Sequence, residues 1–475
     1  MYEFVHPLTG RYASRAMRRL FSPAIRFHLW RRLWLELMRA ERELGMTIPP
    51  EALRELEAHL DPTEAELSRA ATIERETRHD VMAHIRALAE VAPAAGPFLH
   101  LGATSCYVTD NADLIILRQA VDLLTERAAR VVAALAAFAR THRDLPCLGH
   151  THFQPAQPTT VGKRACLWLY DLLLDLERLS FERDRLLLRG AKGTTGTQAS
   201  FLQLLGSGEK VDELERRLAA AFDFPGTYPV TGQTSPRKPE FYLLACLSGL
   251  AQAAHKFATD VRLLARLKEL DEPFGQAQVG SSAMPYKQNP MRSERICGLA
   301  RYLISLEANA AWTDASQWLE RTLDDSANRR LVLPEAFLAA DAVLLLWRAV
   351  AAGLVVHPAM IRRNLDEELP FIATEEILLA AAARGGDRQA LHEKLRTLAR
   401  EASRRVKENG EANPLLTMVG SEGAFGLDAQ ALAGLLDARR FVGRAPEQVD
   451  AFLATRVDPW LAAHSVGSID EEPQV

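Results

Sequence analysis

The chain has 475 residues, of which 48% are hydrophobic and 25% are charged, and its formal net charge is −4. This composition is typical of a soluble globular protein with roughly two to four domains. The slightly acidic balance excludes a general attraction to nucleic acid or to an anionic membrane. An anionic substrate would therefore have to be bound by local positive charge.

The N-terminal segment, MYEFVHPLTGRY, lacks the basic region and apolar stretch of a secretory signal. The longest strongly apolar run, Phe241–Ala254, is too short to span a bilayer. The cysteines are odd in number and widely spaced with no CxxC pair, which predicts free thiols instead of disulfides or a zinc site. They are Cys106, Cys147, Cys166, Cys246 and Cys297. We therefore expect a cytoplasmic protein.

Helical periodicity dominates the chain. Asp113–Arg140 contains no Gly or Pro, and its apolar residues recur at alternating steps of three and four, which is the pattern of a heptad seam. A second seam runs from Leu243 to Leu264. Further long helices are predicted at Thr159–Leu188, Met291–Trp312 and Pro334–Val350. Long helices bury an apolar stripe only by packing on one another, so the predicted fold class is all-α with a central long-helix bundle.

No stretch of the sequence has a convincing strand pattern. Pro and Gly residues mark predicted loops at 92–97, 146–158, 190–196, 225–239 and 273–290. These loops contain nearly all of the residues whose side chains could take part in catalysis or binding, as expected where a rigid scaffold positions a site. The glycine-rich stretch at 190–197 lacks the GxxxxGK[ST] order, so we do not expect a nucleotide-triphosphate site there.

The segment from Gly280 to Pro290 reads GSSAMPYKQNP. Its glycine and paired serines offer backbone N–H groups and hydroxyls, while Lys287 adds a cation and Asn289 an amide donor. Such a group can hold a carboxylate or stabilise an oxyanion. On residue types alone, a surface loop is an equally good interpretation.

This segment resembles the signature loop of the fumarase/aspartase superfamily, whose core pattern is GSSxMPxKxN. The extended form, SSAMPYKxNPMRSER, is similar to the adenylosuccinate lyase branch, although Gln288 stands where many of its members have arginine or lysine. From about Arg11 onward, segments across nearly the whole chain resemble the same branch. They are TRHDVMA at 77–83, HLGATSCYVTDNAD at 100–113, GHTHFQPAQPTTVGKR at 149–164, GTTGTQASFL at 193–202 and ERTLDDSANRR at 320–330.

The resemblance implies a β-elimination that releases fumarate from a succinylated amine, with no cofactor or metal. It implies that Ser281 is the base for the Cβ proton, with its alkoxide stabilised by Lys287 and backbone amides. His152 matches the general acid, a role that suits an imidazole because its pKa lies near neutrality. Glu294 matches the carboxylate that orients this histidine, and His79 matches a second histidine that helps to bind the substrate.

The resemblance also implies the residues that bind the substrate. Those expected to hold the succinyl carboxylates are Thr104, Ser105, Lys287 and Asn289. Those expected to contact the nucleotide and its phosphate, where a guanidinium fork can bind two oxygens, are Arg11, Tyr12, Arg295, Arg321, Ser326 and Arg330. Further expected substrate contacts are Arg78, Asp80, Gln233 and Ser282. Residues interpreted as structural are His84, His142, His150, His255, Cys106 and Cys297, and the role of Arg329 is left open.

The resemblance implies three helical domains, at 1–104, 105–356 and 357–475, and a homotetramer whose active sites combine loops from three subunits. Two substrates are expected. They are adenylosuccinate, giving AMP, and the succinylated aminoimidazole carboxamide ribotide SAICAR, giving AICAR, both in purine biosynthesis. No nucleic acid or membrane partner is expected. Two alternatives remain, namely another fumarate-releasing lyase, such as argininosuccinate lyase, fumarase or aspartase, or a non-catalytic structural protein of the same fold.

Overall fold

The computed structural model describes residues 3–464, which contain nineteen α-helices and four short β-strands. The first helices are α1 (Arg15–Leu20), α2 (Pro23–Glu43), α3 (Pro50–Ala58), α4 (Glu64–Thr77) and α5 (Asp80–Val91). The central part consists of α6 (Ser105–Thr141), β1 (Pro146–Thr151), β2 (Gln154–Thr160), α7 (Val161–Asp184), α8 (Ala199–Leu205), α9 (Gly208–Ala221), α10 (Lys238–Arg266), β3 (Leu270–Asp271), α11 (Met291–Ala315), α12 (Asp324–Ala352) and β4 (Val355–Val356).

The remaining helices are α13 (Pro358–Ile372), α14 (Thr374–Ala383), α15 (Arg388–Asn409), α16 (Leu415–Ser421), α17 (Ala429–Leu435), α18 (Ala445–Phe452) and α19 (Asp458–Ala463). Short π or 3-10 turns occupy Leu8–Tyr12, Gly96–Phe98, Gly423–Phe425, Ala438–Arg440 and Leu453–Val457. The prediction of an all-α fold is confirmed.

The predicted long-helix bundle is formed by α6, α7, α10, α11 and α12. Helix α10 packs against α7, α11 and α12, and α6 packs against α7 and α12. Two helices begin earlier than their apolar patterns predicted, α6 at Ser105 instead of Asp113 and α12 at Asp324 instead of Pro334. Their first turns are rich in polar residues that bond to neighbouring loops, so the apolar period begins only further along each helix. Pro334 consequently lies inside α12.

The direction of these helices gives the bundle two distinct ends. Helices α6, α10 and α12 begin at the end that we call the Ser105 end, where Lys238 of α10 forms an ion pair with Asp314 of α11. The same helices finish at the opposite end, called here the His152 end, where β3 pairs with β4 and the β1–β2 hairpin joins α6 to α7. Because α6 has 37 residues, the two ends are separated by about 55 Å.

The β1–β2 hairpin lies where the sequence predicts a loop, at 146–158, so that prediction is wrong. Three prolines fall in its strands, at positions 146, 155 and 158. A two-stranded ribbon has only edge strands, so a proline there can face away from the partner strand without breaking a ladder bond. The register shifts between Cys147 and Gly149, where a bulge bends the ribbon.

Most of the buried apolar residues form one core, which extends from Leu8 to Leu365 and also includes Val449, Leu453 and Val457. A second, separate core lies between Ala373 and Leu432. The division into domains at 1–104, 105–356 and 357–475 stays a prediction, and residues 1–2 and 465–475 lie outside the described range. No helix within residues 3–464 combines the length and the apolar character needed to cross a lipid bilayer.

The prediction of free thiols is confirmed, since all five cysteines are unpaired and buried. Another buried polar group is the carboxyl of Glu41 in α2. It is 0% exposed, and neither oxygen has a hydrogen-bond partner in the described part of the chain. Desolvation by burial raises the pKa of Glu41 to about 8.

We expect Glu41→Gln to stabilise the protein and to flatten its dependence on pH. A carboxyl whose pKa is raised by folding favours the folded state while it is protonated. This contribution to stability is fully present below the ordinary pKa of 4.5. It decreases as the pH rises and is fully lost once the pH exceeds about 8. Each pH unit in this window costs about 1.4 kcal/mol, so the substitution should raise the free energy of unfolding by up to about 5 kcal/mol at pH 8.

Urea unfolding of the wild type and Glu41→Gln between about pH 6 and pH 8 measures this effect. The matched control is Glu51→Gln at an exposed position of α3, which should leave the pH slope of the wild type in place. Equal slopes for the wild type and Glu41→Gln would contradict the prediction.

Candidate active site

A cleft of about 680 Å³ opens at the Ser105 end of the bundle. Its walls come from α2, from the start of α5, from the first turns of α6, and from the loop that leads into α12. Seven of the residues predicted to act on or bind the substrate line this cleft, namely Arg78, His79, Asp80, Ser105, Arg321, Ser326 and Arg330. Three sequence segments that lie far apart in the chain thus meet at one site.

The cleft is suited to an anionic ligand. Six arginines line it, and four of them are at least partly exposed, namely Arg26, Arg78, Arg321 and Arg330. They supply local positive charge that the composition of the whole chain lacks. Helices α5, α6 and α12 also point their N-termini toward it. The free N–H groups and positive dipole ends at these termini favour bound anions.

His79 caps the start of α5. Its Nδ1 accepts a hydrogen bond of 3.3 Å from the backbone N–H of Met82. When the ring is neutral, this bond places its proton on Nε2. The neighbouring Asp80 accepts a hydrogen bond of 2.8 Å from the guanidinium of Arg330, so that this arginine is held over the same part of the cleft.

Thr104 and Gln233, both predicted to contact the substrate, lie against each other. The amide Nε2 of Gln233 donates a hydrogen bond of 3.3 Å to Oγ1 of Thr104. Gln233 in turn is fixed by its backbone N–H, which donates to the carbonyl of Glu320 at 2.9 Å. This pairing connects the loop before α6 with the loops before α10 and α12.

A buried network of charged groups, several of which also line the cleft, was not identified from the sequence. The guanidinium of Arg237 donates to Asp325 from Nε at 2.9 Å and Nη2 at 2.7 Å, and to Asp110 from Nη1 at 2.9 Å. Arg329 donates to Glu240 at 2.6–3.1 Å. Burial alone would raise the pKa of Asp110, but the charge of Arg237 outweighs this effect and holds it well below the ordinary value.

Nothing in the residue pattern distinguished this network, because polar side chains in the first turn of a helix usually face solvent. The one available signal was position. Asp325 lies within a segment that resembles the adenylosuccinate lyase branch, between Arg321 and Arg330. Arg329, whose role was left open, is almost fully buried in an ion pair, which is a structural use of its charge.

The apolar wall of the cleft includes Phe27 and Trp30. His84 packs behind this wall, stacked on Phe27 with ring centroids 3.8 Å apart and in edge contact with Trp30. Desolvation by burial lowers the pKa of His84 to about 4, so the ring is neutral at physiological pH. His84 thus serves as an aromatic packing group, in keeping with its structural interpretation.

The signature loop lies at the other end of the bundle, between α10 and α11. Its neck is closed by Asn289, whose Nδ2 donates to the carbonyl of Gly280 at 2.8 Å. A side chain at position 280 would meet the carbonyl oxygen of Lys287 at 2.1 Å, so the close approach requires glycine there. In this arrangement Asn289, predicted to hold a carboxylate, shapes the loop.

Ser281 occupies a position where its oxygen is well supplied with donors. Its Oγ accepts hydrogen bonds from the backbone N–H groups of Ala283 at 3.3 Å and Met284 at 3.1 Å. Two such donors stabilise an alkoxide more than a neutral hydroxyl. The side chains of Ser282 and Lys287 are exposed, and no hydrogen bond joins Lys287 to Ser281 in the described chain.

The base of the signature loop is rigidly attached to the bundle. The buried carboxylate of Glu272, just before the loop, accepts hydrogen bonds from the backbone N–H groups of Arg292 at 2.9 Å and Ser293 at 2.8 Å. A carboxylate at this point satisfies free donors of the first turn of α11 and interacts favourably with the helix dipole. The start of α11 is therefore a firm platform for Glu294 and Arg295.

His152 lies at the tip of the β1–β2 hairpin. It and Phe153 are the two residues between the paired Thr151 and Gln154, and both have positive φ, 53° and 57°. Two-residue hairpin loops usually place Asn or Gly at such positions. Each bulky residue in this conformation costs about 1–3 kcal/mol, and strain of this kind is concentrated at functional sites. The hairpin thus projects an exposed imidazole away from the bundle.

The remaining predicted residues are not brought into the cleft. Glu294 lies 4.0 Å from the guanidinium of Arg262, and no hydrogen bond joins it to His152 in the described chain. Arg11 is exposed and Tyr12 packs against the main core, both in the turn at Leu8–Tyr12. The predicted roles of these residues stay predictions.

Within one chain, the predicted catalytic groups are therefore divided between the two ends. Neither His152 nor any residue of the signature loop is among the residues that line the cleft. The length of α6 separates Ser105 from the hairpin by about 55 Å, and the length of α10 separates Arg237 from the signature loop by about 43 Å. A site that contains all of these groups requires more than one copy of the chain.

Comparison with known proteins identifies relatives along almost the whole sequence. The family described as Lyase matches residues 13–304, and the one described as Adenylosuccinate lyase C-terminus matches residues 370–452. The adenylosuccinate lyase of Saccharomyces cerevisiae is 50% identical over 457 residues, which are 96% of this chain and 95% of that protein. That of Schizosaccharomyces pombe is 50% identical over 458 residues, with the same coverage of both chains.

Solved structures share the fold. The 3-carboxy-cis,cis-muconate lactonizing enzyme from Pseudomonas putida matches with a TM-score of 0.82 and 26% identity, over 95% of this chain and 98% of that one. A fumarate lyase from Mesorhizobium sp. BNC1 matches with a TM-score of 0.80 and 28% identity, over 94% and 99% of the two chains. Since one fold serves several reactions, the sequence relatives carry the assignment. The chain belongs to the adenylosuccinate lyase family, a family of carbon–nitrogen lyases within the fumarase/aspartase superfamily.

Proposed function

We propose that this protein releases fumarate from adenylosuccinate, giving AMP, and from SAICAR, giving AICAR, as a step of purine biosynthesis. The observation that carries the proposal is the convergence of Arg78, His79, Ser105, Arg321 and Arg330 in one cleft. Both substrates carry a phosphate and a succinyl group with two carboxylates. An arginine-rich cleft with three helix N-termini is matched to such a ligand.

In the proposed reaction, the alkoxide of Ser281 takes a proton from Cβ of the succinyl group. The electron pair forms the double bond of fumarate while the C–N bond breaks, and His152 gives a proton to the leaving nitrogen. The backbone amides of Ala283 and Met284 support the alkoxide form of Ser281. Thr104 and Ser105, at the start of α6, hold the carboxylate on which negative charge accumulates.

The proposed active form is a cytoplasmic homotetramer in which each site combines the cleft of one subunit with the hairpin and signature loop of others. The separation of these elements within one chain supports this assembly. The outer face of α7 supports it as well, because four apolar residues that are 43–48% exposed follow one another along it at helical spacing. They are Leu167, Tyr170, Leu174 and Phe181.

Fumarate formation by the purified protein tests the proposal, with adenylosuccinate, SAICAR, argininosuccinate and aspartate supplied in parallel. Turnover of the first two is expected. Turnover of argininosuccinate or aspartate without that of adenylosuccinate would replace the proposal with the alternative of another superfamily lyase. A folded tetramer without any lyase activity would favour a structural protein, which the retention of Ser281 and His152 argues against.

A further inference from the structure

Two segments that contribute to the cleft, at the starts of α10 and α12, are joined through one buried carboxylate. Asp325 lies in the first turn of α12, and its side chain is 0% exposed. Its Oδ1 accepts a hydrogen bond of 2.8 Å from Nη1 of Arg321. Its Oδ2 accepts from Arg237 at 2.7 and 2.9 Å. One carboxylate is thus shared by the partly exposed Arg321 and the buried Arg237, both of which line the cleft.

Arg237 is in turn fixed on its other side. Its Nη1 donates to Asp110 of α6 at 2.9 Å and to the hydroxyl of Ser235 at 3.0 Å. Asp110 also accepts hydrogen bonds from the backbone N–H of Ser235 at 2.7 Å and from its hydroxyl at 3.1 Å. Because Arg237 is only 2% exposed, this chain of charge-assisted bonds is shielded from solvent and salt, which makes each bond strong and its geometry well defined.

We propose that Asp325, itself held by Arg237, is a positioning residue that sets the guanidinium of Arg321 for the phosphate of the nucleotide. Arg321 is partly exposed, with 23% of its side chain accessible, and would otherwise sample many rotamers. Bonding one edge of its fork to Asp325 leaves the remaining donors directed at the ligand and removes the entropy cost of ordering a long side chain on binding. The proposal rests on the proposed function, because it assigns a nucleotide phosphate to Arg321.

Asp325→Asn is a sharp test because the two oxygens of Asp325 have different partners, and both partners are donors. An asparagine must turn its NH₂ group, itself a donor, toward either Arg321 or Arg237, so one of the two arginines is released. We expect the KM for adenylosuccinate and the dissociation constant of AMP each to rise about tenfold or more, while kcat falls less, as for loss of binding shared by ground state and transition state.

The decisive measurement repeats Asp325→Asn in an Arg321→Ala background. If Asp325 acts through Arg321, the second substitution should change the AMP dissociation constant by less than about twofold in that background, because the interaction has already been removed. If instead the two losses multiply, Asp325 acts independently of Arg321 and the proposal is overturned. Arg237→Lys, which keeps the charge but cannot bridge Asp110 and Asp325, provides a second variant should Asp325→Asn fail to assemble, and it is judged by the same criterion.

Glu215→Gln is the matched control. Glu215 is also a buried carboxylate in an ion pair, with Lys192 at 2.8 Å, and it accepts a hydrogen bond from the backbone of Ala191. It does not contact Arg321, so whatever effect it has should multiply with that of Arg321→Ala.

Wild-type protein that binds AMP but leaves adenylosuccinate intact would contradict the proposed function, while the AMP titrations would still decide the role of Asp325.

Discussion

Ser281→Ala should lower kcat by about two to four orders of magnitude, the range typical for loss of a positioned general base. The hydroxyl accepts two backbone N–H groups, and alanine removes the only oxygen that this arrangement can activate. The loop itself should keep its shape, because its neck is closed by Asn289 and Gly280. Initial rates with adenylosuccinate, together with the oligomeric state and melting temperature of the variant, measure the effect.

The neighbouring serine supplies the control for this prediction. Ser282 is exposed and lacks the pair of backbone donors that Ser281 has, so Ser282→Ala should weaken substrate binding more than it slows the chemical step. A larger loss of kcat in Ser282→Ala than in Ser281→Ala would assign the base to Ser282 instead. Near-normal rates in both variants would remove the serine hydroxyls from the mechanism proposed above.

Mixing His79→Ala with His152→Ala should restore activity that neither variant has alone. The two residues lie at opposite ends of the bundle, so a site composed of different subunits can take an intact cleft from one variant and an intact hairpin from the other. If subunits assort at random, about one quarter of the sites in an equimolar mixture carry both histidines. Co-expression of differently tagged chains, followed by two-step purification and a fumarate assay, measures the recovery.

A pair of variants from the same end provides the control for this mixing experiment. His79 and Arg330 both line one cleft, so a mixture of His79→Ala and Arg330→Ala contains no intact cleft and should not recover. If hybrid tetramers form but neither mixture recovers activity, the result contradicts the shared-site arrangement. Equal recovery in both mixtures would mean that the two residues of the cleft do not serve the same site.

The sequence predicted the bundle well because its long helices carry their apolar residues at regular spacing. The seam from Leu243 to Leu264 falls within α10, and the predicted helix at Met291–Trp312 matches α11 within three residues. The β1–β2 hairpin was not predicted because its prolines contradict a strand pattern. A two-stranded ribbon is not packed between other strands, so its sequence does not need the alternating apolar pattern of a strand. Local pattern predicts an element only where burial enforces the pattern.

The residues of the site likewise fall into those that the sequence predicted and those that it did not. Motif resemblance predicted His79, Ser105 and Arg321, which meet in the cleft although the motifs themselves give no distances. It did not predict Arg237 or Asp325, because a buried ion pair depends on a partner far away in the sequence, and either residue alone resembles a solvated helix end. The division of the site between the two ends of the bundle follows only from the direction and length of α6 and α10.

Pro334 gives the cleft a property that its side chains do not reveal. A proline inside a helix has no N–H, so the carbonyl of the residue four positions earlier, Arg330, has no donor at the usual place. Both residues line the cleft, so the stretch of α12 that forms its wall lacks one bond of the helical backbone ladder. Helices kink most readily where such a bond is missing, so α12 can change direction at the wall of the cleft.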